Sequence, residues 1–264
     1  DIDLNIDFGF DPYMMAVGNL MSIAVMSGQF AQGEKYRTLC LEHAQKTDNK
    51  AIVLTGYTWG TCFYFLANDR RGMREWCSNA RKTSPEVFEN EWIQRYFNMN
   101  EDWTRYEISS GLNVVKEDVD SGQTGILAWY EPPLADSLVS IKQYRQAHEL
   151  MLNSYQRSLE CGDLCVIAVT LRELARAQFF CDGLVSDKVR EYFDLSLHYA
   201  GKTKSYYLAI ITICYYLDCI ALDGSNNREL KEELQGRLTG LIPLVDNTRE
   251  DIWVNHSYQL LEKQ

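Results

Sequence analysis

Basic residues are in short supply. Twenty-six Lys and Arg stand against 37 Asp and Glu, for a formal charge of −11 at pH 7. A surface of that sign repels nucleic-acid phosphates and anionic lipid, which argues against a nucleic-acid or membrane partner for this segment. Strand alternation is nearly missing, apart from Ile2, Leu4, Ile6 and Phe8 at the start. No secretory leader opens the chain, which begins at Asp1 rather than Met, so the expectation is a part of a longer protein. No C-x-x-C occurs, and His43, His148, His198 and His256 form no two-histidine helical pair, which removes the usual zinc signatures. The G-x-S-x-G nucleophile elbow is absent as well. A catalytic triad assembled from distant positions stays open as an alternative.

What is present is helix signal. Asp11-Pro12 supplies an N-cap and a proline at the first helical position, and Gly28 is a natural stop. A second helix, Phe30 to Lys46, follows after a tight turn and makes a helical hairpin. The same alternation predicts helices over 51–67 and 70–83, then over 85–98 and 101–118 with less regularity. Further helices are expected over 132–141 and 144–160, 163–181 and 186–200, and 205–222 and 228–244, with a capping helix over 249–263. The expected fold is all-α: a right-handed α-α superhelix of about six antiparallel pairs, near forty residues each, over 11–264, with residues 1–10 as a tail. Ser121 to Gly125 and Glu131-Pro132-Pro133 are the strongest internal breaks and predict a bend or an inserted loop near 119–133.

Eight cysteines are spread along the chain, most of them within apolar helical stretches. There a free thiol behaves as a small hydrophobe, which implies a reducing, cytoplasmic compartment. Cys161 and Cys165, four apart, are structural residues or, alternatively, a redox pair. The run Tyr206 to Leu222 is apolar enough for either a buried helix or a short membrane span. Gly201-Lys202-Thr203 ends like a phosphate loop, but Ser196 stands where a glycine is required, so a helix C-terminus is expected. Asp1, Asp3, Asn5 and Asp7 have a calcium-loop flavour that fails at the turn glycine and at the final glutamate. No cofactor or metal is implied.

Thr58-Trp59-Gly60-Thr61-Cys62-Phe63, then Gly72, Trp76 and Pro85, follow a bulky-small-x-x-aromatic, small-x-x-x-aromatic, proline order. This resembles a tetratricopeptide repeat (TPR). Gln143-Tyr144-Arg145-Gln146-Ala147 and Gln29-Phe30-Ala31-Gln32-Gly33 resemble its turn into a second helix, and Leu174-Ala175 keeps the bulky-small step. The interval from Gly33 to Gly72 is 39 residues, so the repeats are degenerate. Ala135 to Gln178 is similar to repeat regions of large bacterial signalling proteins: LuxR-type ATP-binding regulators of the maltose-activator family and cyclases with repeat tails. That resemblance implies a non-catalytic region that docks a partner or senses an inducer, with catalytic or DNA-binding modules elsewhere.

In such a stack the first helix of each pair lines the concave face. With Gly60 at the helix crossing, Tyr57, Thr61 and Tyr64 are expected there. With Ala135 and Ala175 in that role, Asp136, Val139, Arg172, Arg176 and Phe179 join them, and Tyr215 and Asp218 follow in the sixth pair. Aromatic rings interspersed with arginine suit a peptide or a small polar ligand. The competing reading makes the aromatics inter-repeat core and pairs Arg172 and Arg176 with Glu173 or a neighbouring helix. The expected partner is a protein or peptide segment, or flanking domains of the parent chain; a small-molecule inducer is the alternative.

Overall fold

The computed structural model describes residues 11–47, 49–89, 91–121, 127–224, 227–246 and 252–262. Among them every regular element is helical. They form two compact units, divided between Arg105 and Tyr106.

The first unit holds α1 (Pro12–Met26), α2 (Phe30–Gln45), α3 (Lys50–Leu66), α4 (Arg70–Thr83), a 3-10 turn (Pro85–Glu89) and α5 (Glu91–Arg105). Asp11 caps α1 by accepting the Met14 N–H at 3.0 Å, with Pro12 next in line. Each helix packs on its successor, and α1 also meets α3, so first helices of consecutive hairpins lie side by side. One glycine lets α1 approach α3, and another lets α4 approach α3 within their hairpin. A methyl group on Gly18 would fall 2.1 Å from the Trp59 ring, and one on Gly60 would fall 2.0 Å from the Trp76 ring. The indoles therefore occupy the space that side chains would fill.

The second unit holds α6 (Ser109–Ser121), α7 (Leu127–Ser140), α8 (Tyr144–Cys161), α9 (Leu164–Asp182), α10 (Asp187–Lys202), α11 (Tyr206–Asp223), α12 (Arg228–Leu241), a 3-10 turn (Ile242–Leu244) and α13 (Ile252–Glu262). Contacts run α7 to α9, α9 to α11 and α11 to α13, so alternate helices form one layer. Helices α8, α10 and α12 pack on it from sequence-neighbouring positions. α11 is long and apolar enough to cross a membrane, and 67% of it is buried by its neighbours. Phe193 of α10 stacks on Tyr216 at 4.4 Å, while Tyr215 meets Trp253 of α13 edge-on at 4.6 Å. Covered on two sides, this helix has little need of a polar face.

The hairpin turns repeat to the level of single hydrogen bonds. Gly28, Asn68 and Lys142 all carry positive φ (84°, 49° and 65°). In each turn that residue's N–H reaches back three residues, and the next N–H reaches back five: Gln29 to Ala24, Asp69 to Tyr64 and Gln143 to Leu138, at 2.8–2.9 Å. This is the Schellman closure, which satisfies the carbonyls a helix end leaves free. Lys204 and Ser205 repeat it between α10 and α11. The register puts Gln29 with Asp69 and Gln143, and hence Gly33 with Met73 and Ala147. Gly33 and Gly72 are thus not equivalent, and the 39-residue interval between them is not the repeat; Gly28 and Asn68 are equivalent.

Two helix expectations need correction. The break foreseen between 98 and 101 does not occur, because α5 runs through it. Tyr96, Phe97, Asn100 and Trp103 are buried at helical spacing, and the Asn100 amide donates to the Tyr96 carbonyl at 2.8 Å. The helix ends at Tyr106 instead, where φ is 59°. Arg70 and Arg74 of α4 donate to the Trp103 and Thr104 carbonyls, placing positive charge on that C-terminus. The second correction concerns Pro132 and Pro133, which lie inside α7 rather than before it. They stand in its second turn, where their missing N–H groups forgo bonds to the first turn only. Leu134, Ala135 and Leu138 are buried and hold the helix down beyond them.

Gly201-Lys202-Thr203 is the end of α10, with Thr203 as C-cap, as the absent glycine required. The tail 1–10, Arg249 and the loop 122–126 lie outside the described residues, as does the Cys161 side chain.

Candidate binding surface of the second unit

The first-unit residues expected on an open face are placed between helices. Tyr57 is buried, its hydroxyl 2.9 Å from Thr83 Oγ1 and 3.0 Å from Ser84 Oγ. Thr61 is buried with its hydroxyl 2.6 Å from that of Tyr96. Tyr64 is partly buried, packed at Gly72 and Trp76 beneath the Arg37 guanidinium. α3 is sandwiched by α2 and α4 and touched by α1, so its Gly60 face is covered. In the second unit, Val139 and Phe179 are buried in the core.

Of the remaining five, Asp136, Arg172, Arg176 and Tyr215 converge with one neighbour, and Asp218 lies beside them on α11. α7 contributes Asp136, α9 contributes Arg172, Glu173 and Arg176, and α11 contributes Tyr215. Arg176 Nη1 donates to Asp136 Oδ1 at 2.9 Å and to Glu173 Oε2 at 2.5 Å. Arg172 Nε–H donates to Glu173 Oε1 at 2.9 Å. The Tyr215 ring lies on Arg176, 3.8 Å from guanidinium carbon to centroid, and 5.6 Å from that of Arg172. All four residues are buried, with Glu173 only 2% exposed. Two guanidinium and two carboxylate groups cancel locally. Burial opposes the Arg176 charge, but Glu173 first, then Tyr215 and Asp136, hold its pKa well above the ordinary value. Burial likewise pushes the Tyr215 phenol up, so it stays a neutral hydroxyl. Removing one member of such a cluster strands a buried charge, at about 3–5 kcal/mol.

Beyond Tyr215 the surface continues onto α13. Trp253 meets the Tyr215 ring, and His256 Nε2 lies 3.0 and 3.2 Å from the two Asp218 oxygens. Ile252, Trp253, Asn255, His256 and Gln259 line an open depression of about 460 Å³. Glu173 was visible in the sequence as an ion-pair partner for the arginines. Nothing in the sequence places Trp253 and His256 at this surface, because the last helix reads only as a cap. No group of three His, Cys, Asp or Glu arranged to hold a metal ion occurs among the described residues.

No protein-family model, curated protein or solved structure matches this chain. Its character as a helical repeat-like array rests on the packing and on the recurring turn geometry.

Proposed function

We propose that this chain is a non-catalytic interaction and regulatory module, a TPR-like repeat whose second unit binds a segment of a protein partner along α7, α9, α11 and α13. The observation that carries this reading is the meeting of Asp136, Arg172, Arg176 and Tyr215 from three helices, edged by Trp253 from a fourth. Arginine and large aromatics on a fixed helical layer are the residues that dominate binding energy at interfaces, and rigid elements hold such groups better than loops do. The likeness of 135–178 to the repeat regions of signalling regulators supports a place inside a larger cytoplasmic regulator. The depression along α13 favours a second reading, an inducer sensor, because its volume falls in the small-ligand range. It is open and built from one helix, whereas the charged cluster spans three, so segment binding is preferred.

The test pairs a peptide array with a thermal-shift panel of sugars, nucleotides and amino acids. A ligand at a hundred times its Kd adds about 2.7 kcal/mol. Peptide binding that drops at least tenfold in Trp253→Ala supports the reading. Thermal shifts from small molecules, with no peptide retained, overturn it in favour of the sensor.

A further inference from the structure

Resting on that reading, we infer that the bound segment is anchored by a carboxylate, received by the Arg172 guanidinium and the Tyr215 hydroxyl. The argument is a balance of donors and acceptors. Both Glu173 oxygens are engaged, one by Arg172 and one by Arg176. The donors are not used up. Arg172 gives only its Nε–H to the protein, and neither terminal nitrogen has an acceptor among the described residues. The Tyr215 hydroxyl has none either, its ring being held by stacking on Arg176 and by Trp253. Arg172 is 6% exposed and Tyr215 only partly buried, so the pair stands at the edge of the surface.

A guanidinium with both terminal nitrogens unused offers a two-pronged fork matched to a carboxylate. The fork is already fixed by its Nε bond to Glu173, so little side-chain freedom is lost on binding. The cluster itself carries no net charge against the guest, because Asp136 and Glu173 are matched by Arg176 and Arg172. Asp218 beyond it accepts a hydrogen bond from His256. A cationic guest would find the Glu173 oxygens occupied. The carboxylate comes from an acidic side chain or from a chain terminus; the chemistry at Arg172 is the same.

The experiment uses the full chain and random dodecapeptide pools in four arms: free-acid or amidated C-terminus, each with or without Asp and Glu. Wild-type protein is expected to retain the arms that carry a carboxylate and to release the amidated pool without Asp and Glu. Stronger retention of the free-acid pool without Asp and Glu identifies a chain terminus, and stronger retention of the amidated pool with them identifies an acidic side chain. Arg172→Gln should weaken retention at least tenfold. Arg172→Lys, which keeps the charge but loses the fork, should fall between. Tyr215→Phe keeps the stacked ring and should cost roughly threefold, so a folded readout exists even if the Arg172 variants do not fold. Equal retention of the carboxylate-free pool, or indifference to both Tyr215→Phe and Arg172→Lys, overturns the anchor while leaving peptide binding intact. No retention in any arm overturns peptide binding itself.

Discussion

Replacing Gly60 by alanine should destabilise the first unit, although alanine is the better helix former. In a helix interior the exchange is worth about 1 kcal/mol in favour of alanine. Here the new methyl would sit 2.0 Å from Cζ2 and 2.2 Å from Cε2 of Trp76. Carbon atoms need roughly 3.5–4 Å, so the indole must retreat by about 1.5 Å. It is buried, donates Nε1–H to the Tyr57 carbonyl at 3.1 Å, and lies 4.6 Å from the Arg37 guanidinium. Overpacking costs about 1–3 kcal/mol, the weakened hydrogen bond about 1 kcal/mol and the cation–π contact about 0.5–1 kcal/mol. The net loss is about 2–3 kcal/mol, a fall in Tm on the order of 10 °C or more for a unit of this size. Gly236, inside α12, is the control, because a methyl there meets nothing within 4 Å; its alanine variant should gain about 0.5–1 kcal/mol. Urea titration followed by tryptophan fluorescence and far-UV circular dichroism reads both variants. If Gly60→Ala is as stable as wild type, or both substitutions move stability in the same direction, the indole-on-glycine account is wrong.

Asp11 joins an N-cap to a contact with His43 Nε2 at 2.7 Å. Burial pushes its carboxyl up, but the His43 hydrogen bond, the Met14 N–H and the imidazole charge together bring it below the ordinary value. A depressed carboxyl stabilises the fold above its unfolded pKa, about 3.9, and loses that contribution as pH falls through its folded value. Asp11→Ala should cost about 1–2 kcal/mol at pH 6–7, and the gap to wild type should close in acid; a pH-independent gap in denaturation midpoints contradicts this. Among the described cysteines, Cys181 is exposed, whereas burial pushes Cys40 up to about 11 and Cys77 and Cys219 up to about 12. Iodoacetamide at pH 8, followed by mass spectrometry, should label Cys181 well before those three, and early labelling of Cys77 would contradict the packing around it.

Much of the helical order was legible because caps and stops are local chemistry. Asp11-Pro12 and Gly28 mark their helix ends through their own side chains or torsions. The differences lie where tertiary packing outweighs local preference: the gap expected between 98 and 101 and the Pro132-Pro133 break both fall inside helices held by buried neighbours. The same divide runs through the candidate residues. Asp136, Arg172, Arg176 and Tyr215 share a face because alternate helices share a layer, which helical spacing foretells. Tyr57 and Thr61 have the same spacing, but α3 is covered by neighbours on that side, and no periodicity within one helix reveals how many helices surround it. Trp253 meets Tyr215 and His256 meets Asp218 across a separation of 38 residues along the chain, beyond the reach of any local pattern.

At the hairpin joint, glycine, asparagine and lysine serve alike, because what is required of the residue is a torsion rather than a particular side chain. Selection at such a hinge therefore acts on an angle. Two proteins built this way can drift until their letters share almost nothing while their hairpins still close identically, and their kinship would then be found by superposition and missed by alignment.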